Sequence, residues 1–298
     1  MSGSFVYRRT SRGGYQLGGG DDCWHVEADH VALSPNYRPH GTLLRIECDD
    51  MPIVEDTQRM ALVIVDMQND FCSKGGWADK AGFDTTRSHQ VIPGIERAVA
   101  WARRCQVQVV WVVWASSAGV ENLSAPTLYQ YKKSVGMKGI GEWLGDHPAL
   151  VSGTWGTELI APIKRLQQTG DMWAEKNRDN AFYGTQLDQQ LRDQGLSTLL
   201  FAGVNTDQCV ATTMEDANFR DYNVLLIEDA TGTSNPDFCK EAVLLNTRQC
   251  WGFTTDSQRL QAAKPAEPNE PAKPTKPAEP NEPPEPSKPP EPNKRDPK

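Results

Sequence analysis

The chain has 298 residues, room for one large α/β domain with extensions, and its 38% hydrophobic content is enough for a core. A net charge of -8 disfavours nucleic acid, whose phosphates need clustered Lys and Arg, and no window approaches the roughly 18 apolar residues of a membrane span. Seven scattered cysteines without a C-x-x-C pair speak against a disulfide framework or a zinc site. Reduced thiols, and an N-terminus without an apolar signal region, suggest a cytoplasmic protein acting on a small neutral or weakly anionic molecule.

Residues 1–58 begin with a Gly-rich, Arg-containing stretch and pass Trp24, Tyr37 and Leu43-Leu44 without clear periodicity. The first twenty read as mobile and the rest as an irregular extension packed on the core or on a neighbouring subunit. From Met60 to Asp66 an apolar run ends in an acid, as expected of a strand buried on both faces of a parallel sheet. A helix from about Pro93 to Cys105 follows, with Pro93 suited to its first turn. Next come a strand over 107–114 and a long Gly- and aromatic-rich insert, 115–156, that reads as a cap near the substrate. The remaining pattern is strand 171–176, helix 185–194, strand 198–204, helix 208–220, strand 223–228, helix 236–250 and a last strand near 252–254. Such alternation means a three-layer α/β/α domain over 59–263 with a mostly parallel, doubly wound sheet. The tail, 264–298, repeats Lys-Pro-Ala-Glu-Pro-Asn-Glu-Pro at 264–271 and 276–283 and reads as extended or disordered, either a solubilising spacer or a docking segment for a groove-type partner.

Three strand ends carry chemistry. Gly203-Val204-Asn205-Thr206-Asp207-Gln208-Cys209 turns out of a strand and brings Cys209 to a helix N-terminus, where the dipole and free N–H groups favour a thiolate. A buried structural cysteine is the alternative for that octet taken alone. Asp66 ends the first strand of the domain, at the sheet edge where open α/β folds bind ligands. Lys176 ends another strand and leads through Ala181-Phe182 and Gly184-Thr185 into a helix. A lone strand-end Asp or Lys is an ordinary ion pair or cap; the three together are a nucleophile, a base and a cation.

In that order and spacing, from about Met60 to about Leu260, the chain resembles the isochorismatase-like cysteine hydrolases, a superfamily that includes nicotinamidase and N-carbamoylsarcosine, biuret and ureidoacrylate amidohydrolases. The resemblance implies Cys209 as nucleophile, Asp66 as general base and acid, and Lys176 as the cation that orients it. It also implies a cis Val204–Asn205 peptide bond, an oxyanion hole from the backbone N–H groups of Asn205 and Cys209, and a homodimer or homotetramer. Gln68, Phe71, Trp114 and Tyr183 are candidates for contact with substrate, and Trp77 and Trp155 for pocket walls.

Departures narrow the substrate. The Asp-x-His arrangement and further His by which nicotinamidases bind a metal are missing from Val112–Gly119, and the five histidines lack ligand spacing, so neither a metal nor another cofactor is expected. Ether-cleaving isochorismatases do without the cysteine. Stretches such as Phe71-Cys72-Ser73-Lys74-Gly75-Gly76-Trp77 and Glu228-Asp229-Ala230-Thr231 look closest to ureidoacrylate and biuret-type enzymes. The expected reaction is therefore hydrolysis of a small ureide or carboxamide. An ether or ester hydrolase of the same fold, and a non-catalytic interaction protein that docks through its tail, are the alternatives.

Overall fold

The structure, a computed structural model, describes residues 7–266; the tail beyond Ala266 lies outside the described residues. Two sheets organise the chain. The first contains β1 (Tyr7–Arg9), β2 (Tyr15–Leu17), β3 (Trp24–Val26), β4 (Val31–Leu33), β5 (Leu43–Ile46) and β6 (Ile53–Asp56). The second contains β7 (Met60–Val65), β8 (Gln108–Trp114), β9 (Met172–Lys176), β10 (Thr198–Val204), β11 (Asn223–Gly232) and β12 (Phe253–Thr255). A last short strand, β13 (Lys264–Pro265), returns to the first sheet beside β5.

The N-terminal extension is thus corrected from irregular to strand-built. Its strands are three or four residues long, too short for a period of two to register in sequence, and they are held by pairing in the order β1-β2-β3-β4-β6-β5-β13. Residues 15–17, inside the stretch read as mobile, pair with 24–26. The start of the tail is corrected too, because Lys264 and Pro265 lie opposite Arg45 and Leu44.

The second sheet is wholly parallel, in the order β12-β11-β10-β7-β8-β9. Alternate side chains of β7 go to opposite faces and two different cores. Met60, Leu62 and Ile64 join the core shared with helix Ile92–Cys105 and with Leu33, Ile46 and Ile53 of the first sheet. Ala61, Val63 and Val65 join the core under helices Leu187–Asp193, Ala211–Phe219 and Asp237–Asn246. Burial on both faces explains the unbroken apolar run of β7. Helix Ile92–Cys105 buries Ile92, Ile95, Ala98, Val99 and Ala102, one stripe at helical spacing, and stops where Gln106 turns left-handed at φ 57°. β11 outlasts its predicted end at 228 because its pairing with β10 slips after Phe201 and resumes at Gly203 opposite Thr231. No helix among the described residues is long and apolar enough to cross a membrane.

A buried polar chain joins the two sheets. Trp24 Nε1 donates to Asn223 Oδ1 at 2.9 Å, Asn223 Nδ2 to Thr198 Oγ1 at 2.9 Å, and Thr198 Oγ1 to Glu55 Oε2 at 2.9 Å. Burial pushes the Glu55 carboxyl up to about 8, against the lowering effect of its hydrogen bonds from Asp56 and Thr198. A carboxyl raised in the folded state is protonated there while the unfolded chain has already ionised. Stability should therefore be lost as pH rises toward and through 8, by on the order of 2 to 3 kcal/mol between pH 6 and pH 9. Thermal melts across that range should show the loss in the parent chain and a flatter profile in Glu55→Gln; parallel profiles would refute the assignment.

Candidate active site

β7 and β10 lie side by side at the centre of the parallel sheet, and the chain winds away from them in opposite directions. At such a switch point the connections diverge and leave a crevice at the carboxyl ends of the strands. Asp66 follows β7 directly. Its backbone is left-handed, φ 53°, a conformation Asp tolerates better than most residues, and its N–H donates to Val112 O at 2.9 Å. Gly203 lets β10 run this close to β7: at φ 108°, a Cβ there would stand 2.1 Å from Val65 O. The Val204–Asn205 peptide bond is cis. Thr206–Val210 then forms a single π-helical turn that carries Cys209 into helix Ala211–Phe219.

Lys176, the last residue of β9, reaches across Trp114, with its Nζ 4.6 Å from the indole centroid. It contacts both other members of the cluster, at 2.7 Å to Asp66 Oδ2 and 3.4 Å to Cys209 Sγ. All three side chains are buried. The Lys176 loop is tied to the cysteine helix by Thr213 Oγ1, which donates to Cys209 O at 2.7 Å and accepts from Ala181 N at 3.1 Å.

The surroundings of the three groups bear on their charge. Burial pushes the Cys209 thiol well above its ordinary value; Lys176 opposes this, and the Asp66 and Asp179 carboxylates reinforce it. Full desolvation and the two carboxylates thus act against the helix N-terminus, and Lys176 is the neighbour that favours ionisation of the sulfur. Burial likewise raises the Asp66 carboxyl above the usual range, with Lys176 pulling the other way. For Lys176, burial disfavours the charge, but Asp66, Cys209 and Asp179 together outweigh it and the ammonium is held more firmly than usual.

Beside this cluster lies a cavity of about 140 Å³, whose lining includes Asp66, Asn205 and Cys209 together with Phe71, Trp77 and Tyr131. Phe71 and Trp77 are therefore where the sequence suggested. Gln68 and Trp114 are not: the Gln68 amide donates to Trp114 O at 2.9 Å and Thr157 O at 2.8 Å, and the fully buried Trp114 lies beneath Lys176. Tyr183 is 62% exposed and faces a separate outer groove. Trp155 packs edge-on to His147 at 5.1 Å. A strand-mouth residue's backbone direction can be read from the pattern; its side chain's direction depends on packing.

Asp70, which sequence reasoning passed over, holds the insert in place. Its Oδ1 accepts from Trp77 N at 3.1 Å and pairs with His147 Nε2 at 3.0 Å, while its Oδ2 accepts from Leu150 N at 2.6 Å. Burial opposes charge on His147, but the bonds to Asp70 and Asp146 outweigh it and raise its pKa. No sequence signal marks this carboxylate beyond its lying four residues past Asp66. Among the described residues, no group of three or more His, Cys, Asp or Glu side chains is placed to hold a metal ion.

A doubly wound α/β/α domain with a buried Cys, Asp and Lys at its switch point is the framework of a cysteine hydrolase. Residues 60–259 match the isochorismatase domain, and the chain belongs to the isochorismatase family. It is 35% identical over 210 residues to ureidoacrylate amidohydrolase RutB of Yersinia enterocolitica, covering 69% of this chain and 89% of the relative. The crystal structure of an isochorismatase family protein from Desulfovibrio vulgaris aligns with a TM-score of 0.55 at 28% identity, covering 68% of this chain and 97% of that one. N-carbamoylsarcosine amidase from Thermoplasma acidophilum aligns with a TM-score of 0.52 at 26% identity, covering 67% and 96%.

Asp70→Asn removes one of the carboxylate oxygens that Trp77, His147 and Leu150 share, leaving a buried N–H without its acceptor. The expected cost is about 1–3 kcal/mol of stability. Thermal melts and steady-state kinetics should show a lower Tm together with a raised KM; an unchanged KM would mean that the insert does not shape the cavity.

Proposed function

We propose that this chain is an amidohydrolase that cleaves a small ureide or carboxamide through a covalent intermediate on Cys209. One observation carries the reading: a single buried ammonium, Lys176 Nζ, stands 2.7 Å from a carboxylate and 3.4 Å from a thiol beside a cavity of about 140 Å³. The ureidoacrylate and N-carbamoylsarcosine activities in the names of its relatives agree with a carbonyl carbon bonded to nitrogen.

The steps follow from the groups present. A thiol must lose its proton as it attacks, and Asp66 is the carboxylate that shares the cavity with it. The thiolate sulfur adds to the carbonyl carbon, and the N–H groups of Asn205 and Cys209 receive the developing oxyanion. As the tetrahedral adduct collapses, protonated Asp66 delivers its proton to the departing amine or ammonia, leaving a thioester or thiocarbamate on Cys209. A water molecule, deprotonated by Asp66, then releases the acid and restores the thiol. Lys176 keeps its charge throughout and compensates Asp66 whenever that side chain is ionised. At the rim, Lys133 suits the carboxylate of a carbamoylated acid. In this reading the enzyme is cytoplasmic and forms a homodimer or homotetramer, which light scattering tests.

Mass spectrometry of a rapidly quenched reaction should find Cys209 carrying the acyl or carbamoyl group. Cys209→Ala should abolish turnover of a ureide panel with the fold retained, and Asp66→Asn and Lys176→Ala should each reduce kcat by at least about a hundredfold. Substantial ureide turnover by Cys209→Ala would end the covalent proposal. Because Asp66 must be ionised to accept the thiol proton and its pKa is raised by burial, kcat/KM should fall in acid at a pH above the ordinary aspartate value of about 3.9. An acid limb at or below that value would count against Asp66 as the base.

A further inference from the structure

The Cys209 sulfur has polar neighbours inside the triad, Lys176 and Asp66, and one outside it, Asp179. Lys176 Nζ donates to the sulfur at 3.4 Å; the thiol itself donates to Asp179 Oδ1 at 3.8 Å. Asp179 lies three residues beyond Lys176, and its other contacts run to the insert. Gln130 Nε2 donates to its Oδ2 at 2.7 Å, and Tyr131 OH to its Oδ1 at 3.4 Å. Both residues lie at the end of helix Ala125–Tyr131, and both line the cavity. On its outer side Asp179 faces a groove of about 600 Å³ with Arg178, Tyr183 and Phe219. It therefore stands in the wall between the two spaces, touching the nucleophile from a side that the proposed reaction does not use.

We propose that Asp179 is a positioning residue for the nucleophile: its carboxylate accepts the thiol's hydrogen bond and, through Gln130 and Tyr131, fixes the capping helix over the sulfur. The inference rests on Cys209 as the nucleophile. A thiol has one proton and a freely turning S–H, so before substrate binds it points to Asp179, and it turns to Asp66 as the attack begins. With Lys176 donating from one side and Asp179 accepting on another, the sulfur has one preferred arrangement before substrate arrives. The charged and titratable groups facing it are Lys176 from β9, Asp66 after β7, Asp179 after β9 and Tyr131 from the capping helix. Of these, Lys176 alone favours a thiolate. Asp179 thus also pushes the thiol's pKa up and slows its alkylation, since the thiolate is the reactive form.

Asp179→Asn keeps the shape but removes the charge and replaces a carboxylate acceptor with a weaker, neutral amide oxygen. The test is the pH dependence of iodoacetamide labelling at Cys209, mapped by mass spectrometry, in the parent, Asp179→Asn and Gln130→Ala. In Asp179→Asn the midpoint should fall by about one pH unit, making labelling about tenfold faster well below it. Turnover should fall severalfold with little change in Tm. Gln130→Ala, which loosens the helix without touching the charge, should raise the plateau rate and leave the midpoint where it was. An unmoved midpoint in Asp179→Asn would overturn the proposal, as would an equal shift in Gln130→Ala, which would make the effect one of access. Labelling reads the sulfur without any substrate, so this failure is distinct from that of the proposed reaction, which ureide turnover by Cys209→Ala would expose.

Discussion

The buried pair of Asp66 and Lys176 is the constraint around which the rest of the molecule is arranged. Taking a carboxylate and an ammonium out of water costs several kcal/mol per ion, and only close geometry with further polar partners offsets it. Here the separation is 2.7 Å, and the ammonium has two further neighbours, the Cys209 sulfur and the face of Trp114. The same logic opposes ionisation of the thiol, which would place another buried negative charge close to Asp66 and Asp179.

That arrangement depends on strand order. Asp66 and Cys209 come from neighbouring strands, β7 and β10, whereas Lys176 comes from β9, two strands away from β7, and must span the intervening β8. A long side chain is required for that reach, and the ring of Trp114, the last residue of β8, gives its stem and charge a surface to cross. Gly203 matters for the same reason, since its missing Cβ lets the backbone beside Val65 approach closely enough to bring the two strand ends together. The scaffold is rigid and fixes the reacting groups; the insert, tied through Asp70 and His147, shapes the space above them.

Much of this was legible in the sequence because it rests on periodicity and on residues at strand ends. The apolar runs of β7, β8 and β10 announce a parallel sheet, and Asp66, Lys176 and Cys209 can be placed at its edge by counting from those runs. The N-terminal strands were not legible, because three or four residues at a time carry no readable alternation, and ties such as that from Trp24 to Asn223 join residues far apart in the chain. Gln68, Trp114 and Tyr183 were misjudged for a related reason. All three lie close to the site in sequence, but the direction of each side chain is decided by packing, and only Phe71 of the four candidates faces the cavity. Asp179 and Asp70 went unread because an acid in a loop has many ordinary uses, and only the folded chain shows what each one touches.

At Cys209 two local influences on reactivity oppose each other. A helix N-terminus stabilises a thiolate by a dipole that water screens and that fades within a turn. Full burial acts on the whole charge, and two carboxylates add to it, so the desolvated environment prevails over the local dipole. The same environment strengthens what a substrate brings. When a carbonyl enters and its oxygen takes up the negative charge, that charge moves away from Asp66 and Asp179 toward backbone N–H groups, in a medium where such hydrogen bonds are stronger than in water. In the proposed reaction the site therefore favours the displaced charge of the adduct over the free thiolate, because of where the carboxylates and the N–H groups stand around one sulfur.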